Sequence, residues 1–187
     1  MLPTRMEFVV LGDSVDDARR VADDVGGTAY VDDRDGPKLP FRTLVRAVTD
    51  RPEALRPAAA VGTYVVCARP QRVRAAGTDE SSVVIQINAM MPSPEMTPIE
   101  ADTHWRDLHA PLALKHHIGM TQYTQLSVVH VVSGSPYAGF ALCEFDSMAD
   151  LREKFFDGPE GERVILADVA TFADRERSPR RLLARRL

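Results

Sequence analysis

The sequence predicts an α+β fold built from two sheet-and-helix units in one chain. Short apolar runs rich in β-branched residues alternate with amphipathic stretches in the order β-α-β-β-α-β through residue 68, and the order returns as β-α-β-β-α-(α)-β from residue 83. A polar, small-residue stretch between them, 75–82, has the composition of a linker. At 187 residues the chain can form one compact domain or two of about 90 residues. The expected division is 1–74, the linker 75–82, and 83–187.

Met6 to Leu11 is apolar, ends at Gly12 and reads as a strand. Ser14, with Asp17 at the capping-box position, starts a helix that turns Val15, Ala18, Val21, Ala22 and Val25 inward and stops at Gly26-Gly27. Thr28 to Val31 is a brief strand, and Asp32 to Lys38 is a turn around an Asp-Gly-Pro core. Phe41 to Val48 alternates as a third strand. Arg51 to Val61 is a short helix opened by Pro52, broken by Gly62 before a fourth strand, Thr63 to Ala68.

The second unit opens with a strand at Val83 to Asn88. Ala89 to Pro98, with three prolines and three methionines, reads as a loop. Asp102 to His117 reads as a helix ended by Gly119. Strands are expected at Thr121 to Val132 and Ala138 to Phe145. Ser147, with Asp150, caps a helix that turns Met148, Leu151 and Phe155 inward. A further helix runs from Gly158-Pro159 to about Ala173 with Val164, Ala167 and Ala170 on one face, and Arg181 to Leu187 is the last strand. Each unit follows the split β-α-β plan of a ferredoxin-like fold. Such a sheet carries both helices on one side and leaves its other face bare, so two sheets laid face to face, or curled into a shared barrel, cover each other within one molecule. The alternative is that the first unit stands as a separate small domain.

The apolar share is 44%, the charged share 27% and the net charge −4. No Lys/Arg cluster is interleaved with aromatics, which argues against a nucleic-acid partner. Arg180, Arg181, Arg185 and Arg186 read as a solvated face of the last strand, against an anion site. There is no charged-then-apolar leader and no run of eighteen apolar residues, so neither a signal peptide nor a membrane span is expected. Cys67 and Cys143 are isolated in apolar runs and read as buried free thiols of a reducing, cytoplasmic compartment.

The chemistry gathers between Asp102 and His117, which hold four of the five histidines and the only tryptophan. As a helix this stretch places Trp105, Leu108 and Leu112 on one apolar face with His109 beside them. Pro111 has no N–H and crowds the carbonyl of Asp107, so the helix should kink or loosen beside His109. A titratable ring aimed at the core needs a partner, because an unpaired buried polar group costs about 1–3 kcal/mol. The His109 ring is expected to open onto an empty apolar space enclosed by the two sheets.

The run Trp105-Arg106-Asp107-Leu108-His109-Ala110-Pro111-Leu112, with Gly119-Met120-Thr121-Gln122-Tyr123 and Pro159-Glu160-Gly161, resembles the EthD family of the dimeric α+β barrel superfamily. The resemblance covers Val83 onward, about half the chain, and maps Trp105, His109 and Pro111 residue by residue. His104 stands where the family more often has an aromatic. The resemblance implies ferredoxin-like sheets paired into a barrel, with a cavity between sheet and helices. Relatives in the superfamily include cofactor-free cyclases, lactone isomerases, dehydratases, quinone-forming monooxygenases and some haem proteins. The typical family member has one repeat and dimerises. This chain is expected to carry two, the first degenerate and without the histidine motif, so that the barrel closes within the chain; a homodimer is also allowed.

His109 is the first candidate for acid/base work, against a structural histidine bonded to a backbone carbonyl. His130 in the long strand is a candidate second base, against a rim position. Tyr123 is a candidate donor to a developing oxyanion, against a packed ring with its hydroxyl at the surface. Trp105 and Leu112 would wall a flat ligand, against simple core packing of Trp105, and Met90, Met91 and Met96 would form an adaptable lid, against a loop that covers the sheet edge. His104 reads as exposed, and His116 and His117 as caps on the helix C-terminus. No His-Glu-x-x-His, Cys pair or glycine-rich phosphate loop is present, and no metal or organic cofactor is expected; a His109/His130/carboxylate metal site or a haem site is a weaker alternative. The expected function is a cofactor-independent enzyme that moves protons on a flat, hydrophobic, oxygenated small molecule, as a dehydratase, cyclase or isomerase. The alternatives are a cofactor-free monooxygenase and a non-catalytic binding or assembly protein.

Overall fold

The structure, a computed structural model, describes residues 3–34, 38–77 and 79–187. Its strands are β1 (Arg5–Gly12), β2 (Thr28–Val31), β3 (Thr43–Ala47), β4 (Gly62–Arg72), β5 (Val84–Pro92), β6 (Met120–Ser133), β7 (Gly139–Phe145), β8 (Ala173–Asp174) and β9 (Leu182–Arg186). The α-helices are α1 (Val15–Val25), α2 (Pro98–His104), α3 (Ala110–His116), α4 (Met148–Glu153) and α5 (Pro159–Phe172). Every strand pairing is antiparallel.

Strand order closes a ring. The first half runs β4-β1-β3-β2 and the second β9-β5-β7-β6, with β2 joined to β9 and β4 to β6. Eight strands thus form a closed antiparallel barrel, and β8 is a short addition beyond the end of β5. Alternation along each strand sorts side chains between two environments. Val9, Leu11, Leu44, Tyr64, Val66, Ile85, Ile87, Leu126, Phe140, Leu142 and Leu182 fill the lumen as one packed core. The opposite faces carry the helices: α1 and the 3₁₀ helix Pro52–Ala58 cover the first half, and α2 to α5 cover the second. The lumen is therefore not the empty enclosure expected for His109, because inward residues from both halves interdigitate through it.

Local signals explain the element ends. The Ser14 hydroxyl accepts from Asp17 N–H at 3.1 Å, and Gly26 ends α1 with φ 63°, a backbone that favours glycine. Ser147 caps α4 through Asp150 N–H at 3.1 Å. The Asp-Gly-Pro turn core, residues 35–37, lies outside the described residues, as does Thr78 of the expected linker. The expected helix Arg51–Val61 is instead a 3₁₀ helix ending at Ala58, because Pro57 has no N–H to donate into an α-helical ladder. The expected loop at Ala89 is a continuation of β5 to Pro92, with Met90 directed at the helices and Met91 at the lumen. The terminal arginines are not a uniformly solvated face. Arg185 pairs with Asp33 at 2.9 Å, and half-buried Arg186 pairs with Glu80 and holds buried Glu144 at 2.7 and 2.8 Å.

Candidate active site

Helices α2 and α3 are halves of one rod joined by a wide turn. Thr97 and Glu100 form a reciprocal capping box, with Pro98 at the first helical position. Between Trp105 and His109 the winding is π-helical, and Ala110 N–H donates to Trp105 O, five residues back. Pro111 offers no N–H to Asp107 O, so the expected loosening beside His109 takes this form. The extra residue in the turn rotates the buried face. Ala101, Trp105, His109 and Ala113 make the buried stripe, Leu108 is 57% exposed, and half-buried Leu112 does not line the cavity. The expected Trp105-Leu108-Leu112 face is corrected accordingly.

Helix α5 packs against this stripe through Ile165, Asp168, Val169 and Phe172, while Ala167 and Ala170 of the expected face are exposed. Asp168, which the sequence reading missed, is the partner that His109 required. Its Oδ2 lies 2.7 Å from His109 Nδ1, and its Oδ1 lies 2.7 Å from His104 Nε2. Thr171 donates to Asp168 O at 2.7 Å and approaches His104 Nε2 at 3.2 Å. Burial pushes the Asp168 carboxyl up, but hydrogen bonds and charge from the two imidazoles outweigh it and hold the group below the usual carboxylate range. His104 is thus a half-buried Asp168 partner rather than an exposed ring. The Phe172 ring lies against both imidazoles, 5.1 Å from His109 and 5.3 Å from His104. Asp168 falls three residues after Ile165 and four before Phe172, on the buried side of α5, but that spacing alone does not separate it from a solvated carboxylate.

Tyr123 in β6 is wholly buried, hydroxyl included. That oxygen accepts from Trp105 Nε1–H at 3.1 Å and from Gln125 Nε2–H at 3.2 Å, and Gln125 also donates to Trp105 O at 2.8 Å. With both acceptor positions engaged, the phenol proton is what remains to donate. Burial raises the Tyr123 pKa, so the hydroxyl keeps that proton. Gly139 in β7 lets the indole lie flat on the sheet, since a Cβ there would stand 2.5 Å from Trp105 Cζ3.

A cavity of about 260 Å³ lies between the second-half sheet and its helices. Met90, Trp105, His109, His117, Tyr123 and Phe172 are among its walls. His117 is not a solvated cap. It is 5% exposed, its Nδ1–H donates to Phe155 O at 2.6 Å, and burial pushes its pKa down to about 4. It therefore faces the cavity as a neutral ring with Nε2 as an acceptor. His116 is also buried, bonded through Nδ1 to Asp157 at 2.9 Å. Cys143 lines the cavity as a thiol that burial pushes up to about 12, and Cys67 is also free.

The structure brings together His109, Tyr123, Trp105 and Met90 among the residues singled out from sequence. It does not bring His130, Leu112 or Met96 to them. Met96 packs half-buried against the outer core. His130 is exposed and lines a different hollow of about 270 Å³ beyond Trp105, Met90 and Phe172. Strand alternation had placed His130 on one face with Leu126 and Val128, which point into the lumen. A bulge at Val129, where Val65 opposes His130 but Val66 opposes Val128, turns it outward. Among the described residues no group of three His, Cys, Asp or Glu side chains is arranged to hold a metal ion.

The ring of two ferredoxin-like halves with a cavity under the second-half helices has the architecture of a dimeric α+β barrel, closed here by one chain. Residues 93–176 match the family model for the EthD domain. That match spans just under half of the chain. Among solved structures it is similar to an anthrone oxidase-like protein, with TM-score 0.56 and 10% identity over 98% of this chain and 91% of that one. It is also similar to a candidate monooxygenase from Fusobacterium nucleatum subsp. nucleatum, with TM-score 0.57 and 8% identity over 100% and 93%. At such identities the likeness is one of fold. No curated protein matches the sequence.

Proposed function

We propose that the chain is a small-molecule enzyme that moves a proton on a flat, hydrophobic, oxygenated ligand by histidine acid/base chemistry, without a metal or organic cofactor. The observation that carries this reading is the His109–Asp168 pair at the cavity wall, 2.7 Å apart. Asp168 holds the His109 Nδ1–H, which leaves Nε2 as the base. In this reading Nε2 takes a proton from a carbon beside a carbonyl, and the Asp168 carboxylate stabilises the imidazolium that forms. Tyr123 O–H donates to the enolate oxygen, and the returned proton completes a dehydration, cyclisation or isomerisation. His117 supplies a neutral acceptor for a ligand hydroxyl.

The first half, 1–74, is in this reading a degenerate copy that supplies the strands needed to close the barrel, joined through 75–82 to the half that carries the chemistry. His109→Ala is expected to abolish turnover with the melting temperature within a few degrees of the parent. Asp168→Asn should lower kcat by about 10²-fold or more. A fully active His109→Ala protein would falsify the assignment.

The descriptions of the two solved structures favour a second reading, a cofactor-free monooxygenase. The same base would deprotonate a ring methylene flanked by carbonyl-bearing rings, and the carbanion would react with O₂. One oxygen atom becomes a new carbonyl and the other leaves as water with the two methylene hydrogens. Consumption of one O₂ per product formed separates this reaction from simple proton transfer.

A further inference from the structure

The cavity contains a polar group that proton transfer at His109 does not use. Gln86 in β5 lines the cavity and is 3% exposed, and its carbonyl Oε1 has no hydrogen-bond partner among the described residues. Its Nε2–H reaches Asn88 Oδ1 only at 3.4 Å. A buried amide oxygen left unpaired is costly, so the site is suited to a donor that arrives with a ligand. Ser178 nearby is already committed, accepting from Met91 N–H at 3.0 Å and donating to Asp174 O at 2.5 Å. Arg175 and Arg181, at the cavity edge, are exposed and make no ion pair among the described residues, whereas Arg177, Arg185 and Arg186 each have a carboxylate.

Register sets the distance between this group and the chemistry. Gln86 lies opposite Cys143, and Cys143 opposite Tyr123, so the three stand in one row across β5, β7 and β6. At about 4.8 Å per strand, the Gln86 and Tyr123 positions are about 10 Å apart. That span suits a fused-ring ligand with its polar groups on the ring at the Gln86 end and its second ring reaching toward Tyr123.

We propose that Gln86, Arg175 and Arg181 form a recognition subsite for a hydroxylated aromatic acid, with the ligand hydroxyl donating to Gln86 Oε1 and its carboxylate held by the two arginines. The proposal rests on the cavity being the ligand site, as in the function proposed above, but not on what His109 does there. Calorimetric titration of the full chain with 4-hydroxy-2-naphthoic acid, its methyl ester and 2-naphthoic acid tests it. The hydroxy acid should bind about tenfold more tightly than either of the others, a margin typical of one charge-assisted or one buried hydrogen bond. The Arg175→Ala/Arg181→Ala variant should bring acid and ester to parity with ester affinity unchanged. Gln86→Leu should remove the advantage of the hydroxyl alone. His109→Ala should keep both preferences, which separates a failure of the catalytic reading from a failure of the subsite. Equal binding of acid and ester by the parent chain, preferences that survive in the subsite variants, or no binding of any of the three overturns the proposal.

Discussion

The two cavity imidazoles His109 and His117 have different Nδ1 partners. At His109 the partner is the Asp168 carboxylate, whereas at His117 the Phe155 carbonyl takes the Nδ1–H and the Phe155 and Phe156 rings surround the imidazole at 4.5 and 5.1 Å. Burial therefore keeps His117 neutral, with a pKa of about 4 against the ordinary 6.5. Unfolding restores the ordinary value, so between these two pH values the unfolded chain binds a proton that the folded chain refuses. Stability is then fully present above pH 6.5 and falls as pH is lowered toward 4, by about 3 kcal/mol from this group. Urea midpoints between pH 7 and 4 should show a shallower acid-side decline in His117→Gln than in the parent; parallel curves would disprove the burial argument. The inward placement of His109 is legible in its spacing to Trp105 and Pro111. Asp168, 59 residues later, is not, because a lone Asp in an amphipathic helix looks the same whether it meets water or an imidazole.

Helix winding and close backbone approach decide which side chains meet. The sequence places the loosened turn correctly through Pro111, but not its consequence, which is that Leu108 leaves the core and the stripe passes through Ala101, Trp105, His109 and Ala113. The buried face of α5 departs from the expected one for a related reason: Val164, Ala167 and Ala170 are small enough to suit either side of a helix, and packing against Trp105 and His109 selects Ile165 and Phe172. Gly139 shows how tight that packing is. In Gly139→Ala the new methyl would stand 2.5 Å from Trp105 Cζ3 and 2.8 Å from Leu126 O. Because one of those atoms is backbone, relief requires the strand or the indole to move, at a cost of about 1–3 kcal/mol. The variant should have a lower denaturation midpoint and an altered emission from Trp105, the only tryptophan. An unchanged midpoint and spectrum would show the indole to be loosely seated.

Closure of the ring within one polypeptide removes the free sheet edges that would otherwise require a second copy. Folding stability is then a property of the single chain, and the urea midpoint should stay constant over about a 100-fold range of protein concentration, unlike that of an obligate dimer. A midpoint that rises with concentration would show that a second chain completes the fold. The same closure packs the lumen solid and leaves the ligand space outside it, under the helices of the second half.

Periodicity, capping residues and breakers were enough to determine the element order, the doubled β-α-β-β-α-β plan and the inward direction of His109, because these are properties of neighbours along the chain. Register, winding and the pairing of distant side chains were settled only in three dimensions. A bulge at Val129 carried His130 away from His109, a wide turn exposed Leu108, and packing of α5 delivered Asp168. Each of these depends on which surfaces meet, and a linear pattern encodes a surface's character but not its partner.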